Sequence, residues 1–255
     1  MKSGMTIWSV AVGARYAAMF GACVASARAC GVVGEFHVFG DHAVSGAEWH
    51  KAEMKAGPLM GKIEMLERLE ELPGTWFVFL DADTWFVRRP QDLVGPARAS
   101  GLHVPVECNL SEATVRFEDW WGVPVQALAA IGGRVPGFWT CNAGMFVVRR
   151  DRVKELRSAW LEAAAFCAER GWKVTEELPL ALALVWLTRP AGHCVWDWGA
   201  YWVSDWAGQW CGRLPQAGKW RAEEYMTGAW RIVDPAVVHA LRSKQALAAY
   251  GGYHG

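Results

Sequence analysis

A run of five apolar residues at 76–80, WFVFL, ends abruptly at Asp81-Ala82-Asp83. A strand with one wet face alternates polar and apolar residues, whereas a strand buried on both faces reads as an unbroken apolar run. WFVFL therefore belongs inside a sheet covered on two sides. Helices are the usual cover for such a sheet, which restricts the fold to a layered α/β arrangement. The preceding residues agree. TIWSVAV at 6–12 and EFHVF at 35–39 read as strands, and residues 16–30 place small and apolar side chains at helical spacing. KIEMLERLEEL at 62–72 is an amphipathic helix with Ile63, Leu66 and Leu69 or Glu70 along one stripe, ended by Pro73-Gly74.

Beyond Pro90 the pattern loosens into Gly-, Pro- and Trp-containing loops around a short helix near 124–131. MFVV at 145–148 is a further strand, and residues 151–170 form a helix with Asp151 as its expected cap. Residues 179–187 form an apolar helix, and short strands follow the Trp-rich stretch at 231–233 and 237–238. With no internal repeat, low-complexity tract or linker, residues 1–255 read as one domain.

The 26 basic and 26 acidic side chains cancel, so no global field draws the chain to nucleic acid or an anionic membrane. Seven Cys form an odd set without the CxxC pair that a finger's His residues would need. That argues against a zinc site or a disulfide framework and for reduced thiols in a cytoplasm. No run of about eighteen apolar residues suggests a membrane span. The N-terminus carries Lys2 and an apolar stretch at 5–14 as a signal peptide does, but Arg15 and Arg28 interrupt it, and strand-turn-helix accounts for it better.

Two carboxylates at the carboxyl end of an interior strand, separated by one small residue, can face a divalent cation together. Hard oxygen ligands suit Mn2+ or Mg2+, and such an ion commonly bridges a diphosphate. One Asp capping the following turn and the other simply solvated would be the plain alternative. The stretch FVFLDADTWFVRRP resembles the donor-binding centre of GT-A glycosyltransferases. It is most similar to glycosyltransferase family 8, which includes glycogenin and bacterial lipopolysaccharide sugar transferases. Cys141-Asn142-Ala143-Gly144-Met145, Glu176-Glu177 leading Leu180, and His239 with Lys244 follow in the family's order, so the resemblance covers nearly the whole chain.

The resemblance implies a GT-A fold: a Rossmann-like, mostly parallel central sheet with flanking helices. A nucleotide-binding half would occupy 1–95 and a sugar and acceptor half 96–255. Ala11 and Val12 would line the nucleotide, with Tyr16 stacking on the base or else packing into the core. Lys62 would approach the donor phosphates or sugar, or stand as an ordinary surface lysine. Asp81, Asp83 and His239 would hold Mn2+, unless His239 is simply a core histidine after Val237-Val238. Asn142, Ala143 and Gly144 would contact the donor sugar, or form only a strand-entry turn. Glu176 and Glu177 would lie beside the reacting carbon, or merely favour a helix N-terminus. Lys244 would neutralise the departing diphosphate.

The implied activity is transfer of a sugar from a nucleotide-diphosphate donor, UDP expected, to an acceptor hydroxyl with retention. A glycan or small carbohydrate is the expected acceptor, and a hydroxymethylated pyrimidine in DNA the other, with Arg88-Arg89 and Arg149-Arg150 as phosphate contacts. Seventeen Trp, against 5 Tyr and 10 Phe, could supply stacking faces at Trp120, Trp121 and Trp139. Spacing at 198, 202, 206 and 210 suits one face of a helix. A non-catalytic carbohydrate-binding protein would explain the indoles but not the acidic cluster. A sugar-phosphate nucleotidyltransferase would want a Gly-rich basic loop after its first strand, and residues 12–16 are not one.

Overall fold

The computed structural model describes residues 4–55, 57, 60–90, 92–111, 115–132, 137–187, 227–228 and 230–239, and of 202–204, 212–213 and 220–223 the backbone alone; side chains at 230–232 are likewise not described. Strand β1 (Met5–Ala11) leads into helix α1 (Ala14–Ala29), followed by β2 (Glu35–Gly40) and β3 (Glu48–Lys51). Helix α2 (Gly61–Leu66) tightens into a 3-10 turn at Glu67–Glu71 ahead of Pro73, and β4 (Trp76–Leu80) follows. β1 pairs in parallel with β2 and β4, and β2 with β3. Gly40 permits the close β1–β2 approach, because a Cβ there would collide with the Ala11 carbonyl.

The chain continues through β5 (Thr84–Phe86), β6 (Leu102–His103), β7 (Val106–Asn109), β8 (Asp119–Trp120) and β9 (Val123–Pro124). Helix α3 (Val125–Gly132), β10 (Trp139–Cys141), β11 (Met145–Arg149), α4 (Val153–Glu169) and α5 (Glu177–Leu187) come next. β11 lies antiparallel between β4 and β6, completing a six-stranded sheet of order β3-β2-β1-β4-β11-β6. The fold is therefore α/β with a mixed central sheet, parallel on one side and antiparallel on the other. Strand direction was not in the sequence pattern: a run buried on both faces looks the same either way.

Alternation along the strands divides the core between two faces. Trp8, Phe77, Phe79, Phe146 and Val148 face α2, α4 and α5, while Ile7, Val78, Leu80, Met145 and Val147 face α1. Trp8 meets Phe79 edge-on at 4.7 Å between ring centroids, and Phe79 stacks on Phe146 at 4.9 Å. Burying one such side chain contributes roughly 1.5–3 kcal/mol, so this aromatic layer fixes β4 and the residues that follow it.

Asp151 does not cap α4. It is held by Arg149 at 2.6 Å, and the helix begins after a 3-10 turn at Arg150–Arg152 without a side-chain cap. In the last part of the chain, β12 (Trp202–Ser204) precedes an antiparallel trio, β13 (Gly212–Arg213), β14 (Trp220–Glu223) and β15 (Trp230–Val233). β16 (Val237–His239) pairs in parallel with β12 and antiparallel with β5. Trp202 is thus on a strand, not on the helix its spacing suggested, and Trp198, Trp206 and Trp210 lie outside the described residues. Among the described residues no helix is long and apolar enough to cross a membrane.

Candidate functional site

Where β4 stops, its two neighbours in space define a compact acidic cluster. The Asp81 N–H donates to the Gly144 carbonyl at 2.8 Å, closing the end of the β4–β11 ladder. Thr84 Oγ1 donates to the Asp81 carbonyl at 2.9 Å, which folds the Asp81-Ala82-Asp83 turn back into β5. β5 then pairs with β16, setting His239 opposite Thr84. His239 Nε2 consequently lies 3.0 Å from Asp83 Oδ1 and 3.5 Å from Asp81 Oδ2. One ligand atom from each residue falls within 4.8 Å of the others.

Asp83 and His239 are buried, whereas Asp81 is partly open, so the cluster faces outward at Asp81. Two carboxylate oxygens and an imidazole nitrogen with one open side fit a divalent cation of the Mn2+ type. Burial would lower the His239 imidazole, but the carboxylates of Asp83 and Asp81 outweigh it and raise it. His239 is therefore a buried histidine turned onto two carboxylates.

Lys62 is not a surface lysine. Its side chain is 4% exposed, and Nζ meets Asp81 Oδ1 at 2.9 Å, Glu176 Oε2 at 3.0 Å and the Ala143 carbonyl at 3.0 Å. Phe79 lies beneath the ammonium at 4.9 Å. Burial opposes the charge, yet the Asp81 and Glu176 carboxylates hold Lys62 well above the ordinary lysine range. The ammonium engages Oδ1 of Asp81 while Oδ2 faces His239. Lys62 thus divides the two oxygens of one carboxylate between an internal ion pair and the cluster.

Asn142, Ala143 and Gly144 form the turn that admits this contact. Asn142 Oδ1 accepts the Gly144 N–H at 2.8 Å, and Ala143 gives its carbonyl to Lys62. The close approach at Gly144 is to protein groups: a Cβ there would stand 2.9 Å from both Asp81 Oδ2 and His239 Cε1. Gly144→Ala should therefore cost about 1–3 kcal/mol through overpacking and displace Asp81. Urea unfolding together with Mn2+ titration checks this; unchanged stability and unchanged affinity would contradict it.

Glu176 and Glu177 part company. Glu176 joins the cluster through Lys62, and burial raises its carboxyl against the pull of that ammonium. Glu177, buried at the start of α5, accepts from Trp121 Nε1 at 3.0 Å. Burial raises it well above the usual carboxylate range, with nearby Glu107 adding to the effect. The folded chain therefore keeps a proton at Glu177 that the unfolded chain releases. Stability from that proton is complete below the unfolded value and is lost as pH rises through the folded one. Glu177→Gln retains an oxygen for Trp121, so it should be more stable than wild type at mildly alkaline pH and nearly equal under acidic conditions. Urea denaturation at both pH values decides; a variant that loses as much stability as wild type between them would contradict this.

At the carboxyl end of β1, Ala11 is buried, Val12 is half-buried and Tyr16 is 39% exposed on the first turn of α1. Tyr16 is thus at the surface and not in the core. Sequence reasoning missed Asp41. Asp41 Oδ1 accepts the Gly13 N–H at 2.7 Å and lies 2.8 Å from His42 Nδ1. His42 and the Gly13 N–H together hold its carboxyl below the usual range. An acid at the end of a strand beside β1 was the available signal.

Several other assignments shift. Trp120 is buried edge-on against Phe138 and presents no free stacking face, while the partly buried Trp121 spends its N–H on Glu177. Trp139 is only partly buried. Arg88 pairs with Asp234 at 3.1 Å, Arg149 with Asp151, and Arg150 donates to the Gly74 and Leu72 carbonyls. These three arginines are committed within the fold. Lys244 lies outside the described residues. A groove between Glu67 and Glu70 on one side and Lys154 and Arg157 on the other is spanned by ion pairs at 3.0 and 2.7 Å, far in chemistry from the acidic cluster. No protein-family model matches the chain, and no match was found among curated proteins.

Proposed function

We propose that this chain is a metal-dependent glycosyltransferase of the GT-A type, moving a sugar from a UDP-sugar to an acceptor hydroxyl with retention. The observation that carries the reading is the convergence of Asp81, Asp83 and His239 at the carboxyl end of β4, where open α/β sheets bind ligands. These three residues would hold Mn2+ or Mg2+, which when bound supplies charge neutralisation for a departing diphosphate. Lys62 holds Asp81 in place, and it fixes Glu176, to which the orienting of the transferred sugar is assigned.

The turn at 11–13 and Asp41 form the nucleotide side, Asp41 accepting from ribose hydroxyls and Tyr16 covering the base. In transfer with retention, the bond from the anomeric carbon to the diphosphate breaks and a bond to the acceptor oxygen forms on the same face. The acceptor proton passes to the departing diphosphate oxygen, so neither glutamate has to act as a strong base. Lys244 is assigned to steady the diphosphate on the sequence resemblance. Glu177 is reassigned from the reacting centre to a positioning role beneath Trp121.

A glycan or small carbohydrate is the proposed acceptor. Internal pairing of Arg88, Arg149 and Arg150 weighs against the hydroxymethylated-DNA alternative. The burial of Trp120 weighs against a purely sugar-binding module. The test is nucleotide release from UDP- and GDP-sugars without acceptor, in Mn2+ and in chelator. Release of UDP that chelator stops is expected. A screen in which no donor binds in Mn2+ would overturn the assignment.

A further inference from the structure

A second group of ligating side chains sits on the opposite edge of the sheet from β6. β3 is the edge strand, and its parallel register with β2 places Glu48 beside His37 and His50 beside Phe39. Side chains two residues apart share a face, so His37, Glu48 and His50 converge although they are distant in the chain. His37 Nδ1 lies 2.9 Å from His50 Nε2, the ring centroids 5.2 Å apart and the planes 22° from parallel. Glu48 closes the triangle: Oε2 is 3.8 Å from His37 Nδ1 and Oε1 is 3.9 Å from His50 Nε2. The sequence argued against zinc because it lacks a CxxC pair; strand pairing supplies what chain spacing did not.

We propose that His37, Glu48 and His50 form a Zn2+ site that clamps the edge strand β3 to β2. Two imidazoles and one carboxylate select a borderline transition ion over Mg2+ or Ca2+, which prefer all-oxygen shells. Zinc–nitrogen bonds of about 2.0–2.1 Å set two ligating nitrogens roughly 3.3 Å apart in a tetrahedral site. At the observed 2.9 Å the two nitrogens face each other almost head-on, so both rings must pivot as well as part to turn their lone pairs onto one ion. Glu48 is exposed and free to swing inward, and water completes the shell.

The protonation pattern favours the ion. Without it, the facing nitrogens share a single proton, and the other ring nitrogen of His37, Nε2, is buried with no hydrogen-bond partner. An unsatisfied buried polar atom is costly. With both facing lone pairs on the ion, the His37 proton must sit on Nε2, and Glu35 Oε2, now 3.9 Å away, would have to move closer to accept from it. Carboxylate support behind a ligating histidine is the usual arrangement around zinc. The nearby cation, Arg68, is already taken up by Glu71 at 3.2 Å and the Lys51 carbonyl at 3.1 Å.

The test compares wild type with Asp83→Asn, His50→Gln and Glu48→Gln, using calorimetric Zn2+ titration and the visible ligand-field spectrum of bound Co2+. Expected are tight Zn2+ binding retained in Asp83→Asn, and at least a tenfold loss in His50→Gln. Glu48→Gln, altered only at an exposed side chain, should weaken binding by roughly tenfold and shift the Co2+ spectrum; it serves if His50→Gln folds poorly. Zn2+ binding that is unchanged in both edge variants, or that disappears in Asp83→Asn, would overturn the proposal by placing the ion elsewhere. Because Asp83→Asn removes a ligand of the acidic cluster, this result stands or falls independently of the proposed transferase site.

Discussion

Lys62→Met is expected to destabilise the protein by about 3–5 kcal/mol, the cost of removing one partner from a buried ion pair and leaving the other uncompensated. The ammonium is 4% exposed and is the shared partner of Asp81, Glu176 and the Ala143 carbonyl. Its loss strands two carboxylates and a carbonyl at once. For a domain of this size the melting temperature should fall by on the order of 10 °C. The double variant Lys62→Met with Glu176→Gln should recover part of the loss, because one stranded charge is then gone. Thermal and urea unfolding measure both. A single variant within about 1 kcal/mol of wild type would mean that the ion pairs contribute little.

How much of this was legible in the sequence depended on whether the signal was local. The unbroken run at 76–80 fixed β4 to the residue, and with it the placement of Asp81 and Asp83 at a strand terminus. Ile63, Leu66 and Leu69 are all buried, as their spacing required, although the helix tightens into a 3-10 turn after Leu66. β3 and β5 were missed because four and three residues carry too little periodicity to register. Without β5 there was no physical route from His239 to Asp83, so only the family resemblance joined them.

Charge partners were still less visible. Lys62 opens an amphipathic helix, where a lysine ordinarily faces water, and its partners lie far along the chain at Asp81 and Glu176. Gly144 was expected to admit a donor; what it admits is Asp81 and His239. Indole content suggested stacking surfaces, yet a Trp–Trp pair beside apolar residues serves equally to fill a core, and Trp120 does so.

Asp83→Asn is expected to weaken Mn2+ binding and donor cleavage by more than about a hundredfold, since groups merely supporting a metal ligand already cost 10–100-fold. The amide has nearly the shape of the carboxylate and keeps an oxygen for His239, which lies 3.0 Å away. What it removes is the negative charge that the cation requires. The loss should therefore appear in binding and turnover, while the melting temperature stays close to wild type. A variant that loses activity only by unfolding would remove Asp83 from the cation site.

The most direct measurement is calorimetric titration of a UDP-sugar into wild type and Asp83→Asn, each with Mn2+ and with chelator. Saturable binding is expected only for wild type in Mn2+. Equal binding in chelator, or undiminished binding by Asp83→Asn, would contradict the assignment of Asp81, Asp83 and His239 as a cation site for a nucleotide-sugar.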